Sequence, residues 1–364
     1  MRVVFAPDKF AGTLSAVEAA EAMARGWARR SPGDELVQVP MSDGGPGFVD
    51  VLHTALGGDL HAVTVTGPLG EPTPATVLQV GDTAYVECAQ AVGLHLTDEE
   101  HRDAENAHTR GLGELLDHAL ATGVSRIVVG LGGSGTNDGG AGMLAALGAT
   151  AEGGTLDAGP AGLVDLTAVE VGAAREKFAG VELVMASDVD NPLLGINGAT
   201  KIYGPQKGLP DERLVTVDSW LQRFAEVTDR KLAAEKGAGA AGGLGFGMML
   251  LGGTRTPGVT LVVEAVGLPD HLSRADLVVT GEGAFDFSSR SGKVPYGVAE
   301  AATAKLVPCI ALAGQVLIGS REMRALGVES AYSLVDLVGE ERAMSAPADA
   351  LADLAERTAR TWSR

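Results

Sequence analysis

The sequence predicts an α/β protein. It reads as a three-layer parallel-sheet (Rossmann-like) domain made from the N- and C-terminal segments, with a mixed α/β middle domain inserted. Three observations carry this. The chain opens in β-α-β-α order, which implies a parallel sheet covered by helices. Between about residues 63 and 88 the texture changes to short strands separated by Gly and Pro turns. Near residue 270 the strand-then-helix texture returns. The 364 residues exceed one ordinary core, so residues 1–65 and 270–364 are expected to form one domain and 66–269 the other.

Met1 to Ala6 reads as a buried strand. Ser15-Ala-Val-Glu18 is a capping box, and Val17, Ala20, Ala24 and Trp27 then recur at helical spacing. Ser31-Pro32-Gly33 stops that helix, and Glu35 to Pro40 is a second strand. After the turn Asp43-Gly44-Gly45-Pro46-Gly47, Phe48 to Leu56 forms a helix ended by Gly57-Gly58. Val63–Thr66, Ala75–Val80 and Thr83–Cys88 read as an antiparallel meander. A helix over 109–121, a strand Arg126–Gly130, a glycine loop, a helix Ala141–Leu147 and a strand Val181–Ala186 follow. Pro210 to about Glu235 is helical and 237–247 is glycine-rich. The last part predicts strands at Ala275–Thr280, Pro308–Ala313 and Ser330–Leu334, and helices at Gly297–Lys305 and Pro347–Trp362.

Hydrophobic residues at 45% and charged residues at 21% describe a globular chain. Aromatics at 4% leave Ala, Val and Leu to build the core. A net charge of −19 argues against nucleic acid, since phosphate backbones need clustered Lys and Arg. Any site for an anion must be made locally positive by lysines or arginines, helix N-termini or a metal ion. Cys88 and Cys309 lie in apolar, strand-like surroundings and read as buried thiols, with no zinc pattern. The N-terminus reads as a strand and not as a leader peptide, and no run of about 18 apolar residues exists. A cytoplasmic monomer or homodimer is the expectation.

Acidic residues follow four strand ends beside glycines: Asp8, Asp43, Asp188 and Glu282. One such carboxylate is usually a turn residue or helix cap. Four of them, at the strand ends where open α/β sheets bind ligands, fit a Mg²⁺ and phosphate site. Gly130-Leu-Gly132-Gly133-Ser134-Gly135 has the GxGxxG spacing of a dinucleotide loop, yet no convincing strand follows its helix. What remains is a glycine loop at a helix N-terminus that suits an anion, with Thr136, Asn137 and Asp138 adding polar groups. Gly281-Glu282-Gly-Ala-Phe-Asp286 with Ser291-Gly292-Lys293 places two carboxylates and a lysine within twelve residues, the mixture phosphoryl transfer requires. Lys207, in Gly204-Pro-Gln-Lys-Gly208, is a second candidate cation. His101-Arg102-Asp103 and Asp286-Phe287-Ser288 imitate protein-kinase signatures without their spacing, and there is no Walker A sequence.

Taken together, these segments resemble the glycerate kinase family that is unrelated to protein kinases and sugar kinases, in an actinobacterial-like form. The resemblance rests on Ala6-Pro-Asp-Lys-Phe-Ala-Gly-Thr-Leu-Ser15, Pro40-Met-Ser-Asp-Gly-Gly45 and Gly130-Leu-Gly-Gly-Ser-Gly-Thr-Asn-Asp-Gly-Gly-Ala-Gly142. It continues through Ser187-Asp-Val-Asp-Asn-Pro-Leu-Leu-Gly195, Tyr203-Gly-Pro-Gln-Lys-Gly208, Gly239-Ala-Ala-Gly-Gly-Leu-Gly245, Thr280-Gly-Glu-Gly283 and Gly292-Lys293. It implies ATP-dependent phosphorylation of glycerate with Mg²⁺. Asp188 would then be the leading catalytic residue, joined by Asp43 and Lys293, with Asp8, Lys9, Asn191, Glu282 and Asp286 at the substrate. Gly132 to Asp138 and Lys207 would serve the phosphates, and Asp188, Asp190 and Glu282 the metal. Three positions depart from the family pattern: Ala11 and Ala284 stand where a lysine and an arginine are usual, and Pro46 replaces an acidic residue. They leave a related small hydroxy acid or polyol as an alternative acceptor. Lys9 could replace the lysine missing at Ala11 if the first strand extended that far. Lys9, Lys207, Arg290 and Lys293 are the candidate cations, and the helix N-termini after Gly47 and Gly140 are the alternative for a substrate carboxylate. An NAD-dependent dehydrogenase and a non-catalytic small-molecule sensor are the readings from other classes.

Overall fold

The structure is a computed structural model that describes residues 1–10, 12–286 and 293–363. It begins with β1 (Arg2–Pro7), α1 (Ala16–Arg30), β2 (Glu35–Gln38) and α2 (Phe48–Leu56). The middle of the chain supplies β3 (Asp59–Thr66), β4 (Pro72–Val80), β5 (Thr83–Glu87), α3 (Cys88–Val92), α4 (Arg110–Ala121), β6 (Arg126–Gly130) and α5 (Ala141–Ala146). Next come β7 (Thr150–Glu152), β8 (Ala168–Glu170), α6 (Gly172–Glu176), β9 (Glu182–Ala186), α7 (Ala199–Tyr203), α8 (Leu214–Val227), α9 (Ala240–Leu250) and β10 (Thr254–Thr256). The C-terminal part contains α10 (Gly258–Ala265), α11 (Leu268–Leu272), β11 (Leu277–Gly281), β12 (Ala284–Phe285), α12 (Val294–Ala304) and β13 (Cys309–Ala313). It ends with β14 (Gln315–Val316), α13 (Ser320–Ala325), β15 (Ser330–Ser333), α14 (Leu334–Val338), α15 (Glu340–Ser345) and α16 (Pro347–Trp362).

The chain divides into two compact units. The first takes Met1–Asp43, Asp50–Gly57 and the chain from Pro257 onward; the second takes Gly44–Val49 and Gly58–Thr256. These divisions fall at 57/58 and 256/257, whereas the sequence suggested 65/66 and 269/270. The reason is local: β3 pairs with β4 over all eight of its residues, so it cannot be cut at Val65. Likewise Val259 of α10 packs so closely on α12 that a Cβ on Gly297 would lie 2.1 Å from its Cγ1.

In the first unit the sheet order is β15-β13-β11-β1-β2, and every pairing is parallel. Helix α1 starts as expected, with Ser15 Oγ accepting from Glu18 N–H at 3.2 Å and Glu18 returning a carboxylate to Ser15 N–H at 2.8 Å. Its buried stripe Ala19, Met23 and Trp27 lies in one core with Val3 and Phe5 of β1 and with Leu351 and Leu354 of α16. Phe5 meets Trp27 edge-on at 5.8 Å.

In the second unit the order is β10-β9-β6-β5-β4-β3. The sequence reading of β3, β4 and β5 as an antiparallel meander holds for those pairings, and β5 then pairs parallel with β6, making the sheet mixed. β3 starts at Asp59, earlier than the apolar run suggested, because the exposed Asp59 and the half-buried His61 carry no hydrophobic signal. Helix α8 is shorter than 210–235, with 3₁₀ turns on either side. The stretch after α5 does contain a strand, β7. It pairs with β8 in a separate ribbon, and the next strand of the main sheet is β9, beyond β8 and α6, so the GxGxxG loop and its helix are not followed directly by a sheet strand as in a dinucleotide fold.

Gly26 fixes the approach of α1 to α16. A Cβ there would sit 1.9 Å from the carbonyl oxygen of Ala352, which no rotamer relieves. Gly26→Ala should therefore destabilise the protein by about 1–3 kcal/mol, read as a lower midpoint in urea unfolding. An unchanged midpoint would contradict this packing.

Candidate active site

Parallel pairing sets the first cluster. Pro7 of β1 lies opposite Gly281 of β11, so Asp8 and Glu282 leave the sheet side by side at its carboxyl edge. Asp8 N–H donates to Gly281 O at 2.8 Å, and both carboxylates are buried at 6% exposure. Lys9 Nζ lies 3.5 Å from Asp8 Oδ1 and 3.4 Å from Asp43 Oδ1. Lys293, the N-cap of α12, places Nζ 3.7 Å from Glu282 Oε2 and 3.8 Å from Asp286 Oδ1. Four carboxylates thus share two ammonium groups. Burial pushes the Asp8 carboxyl up to about 7; Lys9 opposes this, while Asp43 and Glu282 reinforce it. Burial disfavours the Lys9 ammonium, yet Asp8 and Asp43 outweigh it and hold Lys9 above the ordinary lysine value.

Strand β1 ends at Pro7, so strand alternation does not explain the placement of Lys9. Its backbone N–H instead donates to Asp8 Oδ1 at 2.7 Å, turning the chain beyond the strand. Ala11 and residues 287–292, with Phe287, Ser288, Arg290, Ser291 and Gly292, lie outside the described residues.

In the second unit the carboxyl ends of β5, β6, β9 and β10 lie along one edge, because these four strands are parallel neighbours. The loop after β6 nests against the turn Gly44–Pro46. A Cβ at Gly130 would lie 2.6 Å from Gly44 O, at Gly132 2.6 Å from Gly45 Cα, and at Gly133 2.7 Å from the Pro46 ring. Gly44, at φ +90°, in turn faces Ala186 O at the end of β9. These glycines answer to backbone packing. The loop leaves Gly133 exposed and Gly132 and Gly135 half-buried, while Ser134, Thr136, Asn137 and Asp138 are buried.

Asp138 is a structural bracket. It accepts from Thr109 N–H and Oγ1, both at 2.8 Å, from Gly140 N–H at 2.9 Å and from Gly142 N–H at 3.1 Å. Burial nevertheless pushes its carboxyl above the usual range, against those hydrogen bonds. Glu87, at the end of β5, accepts from Gly47 N–H at 3.1 Å and Val49 N–H at 3.3 Å. Both helix N-termini considered for a substrate carboxylate are therefore bound by carboxylates of the protein itself. Asn137 donates to Thr200 Oγ1 at 3.0 Å, and the buried Lys207 ammonium donates to Ser134 Oγ at 3.0 Å and Thr136 O at 2.6 Å.

Asp188 follows β9 and is half-buried. Arg255 holds the loop that carries it, donating Nε–H to Ser187 O at 3.0 Å and pairing with Asp190 at 2.7 Å. Lys236 pairs with Asp190 at 3.3 Å. Partial burial of Asp190 is outweighed by Lys236 and Arg255, which hold its carboxyl below the usual range. Asn191 has both ends of its amide engaged, donating to Asn197 O at 2.8 Å and accepting from Tyr203 OH at 2.9 Å. Asp190 and Asn191 are thus engaged within the loop. Among the described residues no group of three or more His, Cys, Asp or Glu side chains is arranged to hold a metal ion. Glu87 and Arg255 escaped the sequence reading. Glu87 ends a strand as Asp8 and Asp188 do and could have been found that way; Arg255, on a three-residue edge strand, carried no signal.

Asp8→Asn tests the burial of the first cluster. Unfolded Asp ionises near 4, whereas folded Asp8 keeps its proton to about 7, so this group lowers stability progressively as pH rises between those values. The substitution should stabilise the protein at pH 8 by up to roughly 4 kcal/mol and far less at pH 4.5. Urea melts at the two pH values would show it, and an equal gain at both would refute the raised carboxyl.

With this geometry in place, comparison with known proteins is specific. The chain is 41% identical over 345 residues to a glycerate kinase of Bacillus subtilis, covering 92% of this chain and 90% of that one. It is 39% identical over 349 residues to a glycerate 2-kinase of Escherichia coli K12, covering 93% and 92%. A crystal structure described as a glycerate kinase 2 of Salmonella typhimurium LT2 superposes with a TM-score of 0.83 at 35% identity, over 99% of this chain and 98% of that one. The model of the glycerate kinase family matches residues 3–363, and the chain belongs to that family.

Proposed function

We propose that this enzyme transfers the γ-phosphoryl group of ATP to a hydroxyl of glycerate. The observation that carries the proposal is the cluster of Asp8, Lys9, Asp43, Glu282, Asp286 and Lys293 at the carboxyl edge of an all-parallel sheet, in a chain of the glycerate kinase family. Phosphoryl transfer needs cations for the charge on the equatorial oxygens and a carboxylate to orient the attacking hydroxyl. Lys293 suits the phosphate and Lys9 the substrate carboxylate, which is the task left to a side chain once the two helix N-termini are closed by Glu87 and Asp138. Asp188 is assigned as the base or orienting group, with Asp43 as a further catalytic carboxylate. The backbone of Gly132, Gly133 and Gly135, exposed at Gly133 and half-buried at the other two, is assigned to the ATP phosphates.

Mg²⁺ is part of this proposal. It needs only one or two carboxylates when phosphates and water supply the other oxygens, so the lack of a three-carboxylate cage among the described residues fits it. Glu282 is the proposed ligand in the first unit and Asp188 in the second, with Asp190 left to Arg255 and Lys236. The metal would offset the negative charge of the phosphates. The E. coli relative is a glycerate 2-kinase, which makes 2-phosphoglycerate the expected product.

Incubation with D-glycerate and Mg-ATP should give 2-phosphoglycerate by phosphorus NMR, and excess EDTA should stop turnover. ADP release without a phosphoglycerate signal would dismiss glycerate as the acceptor. Asp188→Asn should lower kcat by about 100-fold or more with little change in ATP binding; near-normal kcat would remove Asp188 from the chemistry. Lys9→Met should raise KM for glycerate by roughly tenfold to a hundredfold while KM for ATP stays within a few-fold. A rise confined to ATP would exchange the roles of Lys9 and Lys293.

A further inference from the structure

Lys207 is 2% exposed, and both hydrogen-bond partners of its ammonium, Ser134 Oγ and Thr136 O, are neutral. No ion pair to it is present among the described residues. An ammonium buried without a counter-charge is strongly disfavoured. Burial outweighs the nearest acidic groups, which favour the charged form only in part: burial pushes the Cys88 thiol up to about 12, and the Asp138 carboxylate is hydrogen-bonded to Thr109, Gly140 and Gly142. The backbone is nonetheless shaped to admit Lys207. Gly242, at φ +71°, stands where a Cβ would fall 1.9 Å from Thr136 O and 2.8 Å from Lys207 Nζ. Beside the ammonium, Thr136 Oγ1 and Asn137 Oδ1 are buried with no hydrogen-bond partner among the described residues. The crevice reaching Lys207, lined by Leu94, Thr97, Arg102, Asp103 and Gly135, holds about 10 Å³. That is room for one water and not for a phosphate.

We propose that Lys207 is a positioning residue for phosphotransfer, a buried cation that acts from behind the Ser134–Asn137 loop to hold the phosphates of ATP on the loop's outer face. The inference rests on the reading of the chain as an ATP-dependent kinase. The missing counter-charge is the ligand's own. Burial pulls the Lys207 ammonium down to about 8, and a bound polyphosphate opposes that pull. Of the charged groups around it, Cys88 is neutral, Asp138 is fixed, and Arg102 and Asp103 line the crevice. Binding near pH 8.5 therefore draws a proton onto Lys207.

Isothermal titration with Mg-ADP tests this, at pH 7 and pH 9 and, at pH 8.5, in two buffers of different ionisation enthalpy. The wild type should bind more weakly at pH 9 than at pH 7, and its buffer dependence at pH 8.5 should report proton uptake. Lys207→Met should bind on the order of 10- to 100-fold more weakly at pH 7, with neither the pH dependence nor the uptake. Wild-type affinity in Lys207→Met, or the same proton uptake in both proteins, would overturn the proposal. The uptake measurement on the wild type needs no variant, so a misfolded Lys207→Met still leaves a decisive result: binding without uptake refutes the role of Lys207. A wild type that binds no Mg-ADP at either pH fails the kinase reading itself, and this inference with it.

Discussion

Two backbones in the second unit approach more closely than side chains allow. The turn Gly44–Pro46 lies against Gly130, Gly132 and Gly133, and Gly44 lies against the last carbonyl of β9. A Cβ on any of the four glycines would come within 2.6–2.7 Å of an atom of the facing segment. This contact joins three chain segments far apart in sequence, namely the end of β6, the end of β9 and the turn that follows Asp43. It also explains why Glu87 is buried beside them. The N–H groups of Gly47 and Val49 at the start of α2 would otherwise lack partners in a region this tightly packed, and the Glu87 carboxylate accepts from both.

The buried carboxylates divide by what surrounds them. Asp138 and Glu87 accept from backbone N–H groups at helix starts and hold the architecture together. Asp8 and Glu282, equally buried, face lysine ammonium groups and one another. Groups of like charge crowded at strand ends are unfavourable for folding, and chains keep them mainly where chemistry uses them. Asp190 shows the opposite case. It is acidic, near a strand end and next to Asp188, yet Arg255 and Lys236 neutralise it, and its effect is to fix the loop on which Asp188 sits.

Much of this was legible in the sequence, for identifiable reasons. The capping box at Ser15 and the apolar stripe of α1 are local signals, and they appear as read. The acidic residues after β1, β9 and β11 were found because a strand end followed by glycine is a short-range pattern. What the sequence hid depends on distant partners. Glycines 130, 132 and 133 read as a phosphate-facing loop, but their need for a missing Cβ comes from residues 44–46, more than eighty positions away. Asp138 and Asn137 read as ligand groups because a polar run beside a glycine loop looks the same whether it faces a ligand or brackets two helices. Only the second half of the edge strand β3 gave a strand pattern, and Arg255 gave none.

An acidic protein that handles anions must choose where to place its few positive charges. With a net charge of −19, long-range attraction works against glycerate and ATP alike, so binding has to come from short-range groups. Helix N-termini are the usual inexpensive source, yet the two nearest the glycine loop are closed by Asp138 and Glu87. That leaves lysines, and the chain sets them in two different ways. Lys9 and Lys293 sit among carboxylates, which compete with a second anion for them. Lys207 has no carboxylate among its hydrogen-bond partners and is buried, where a charge is weakly screened.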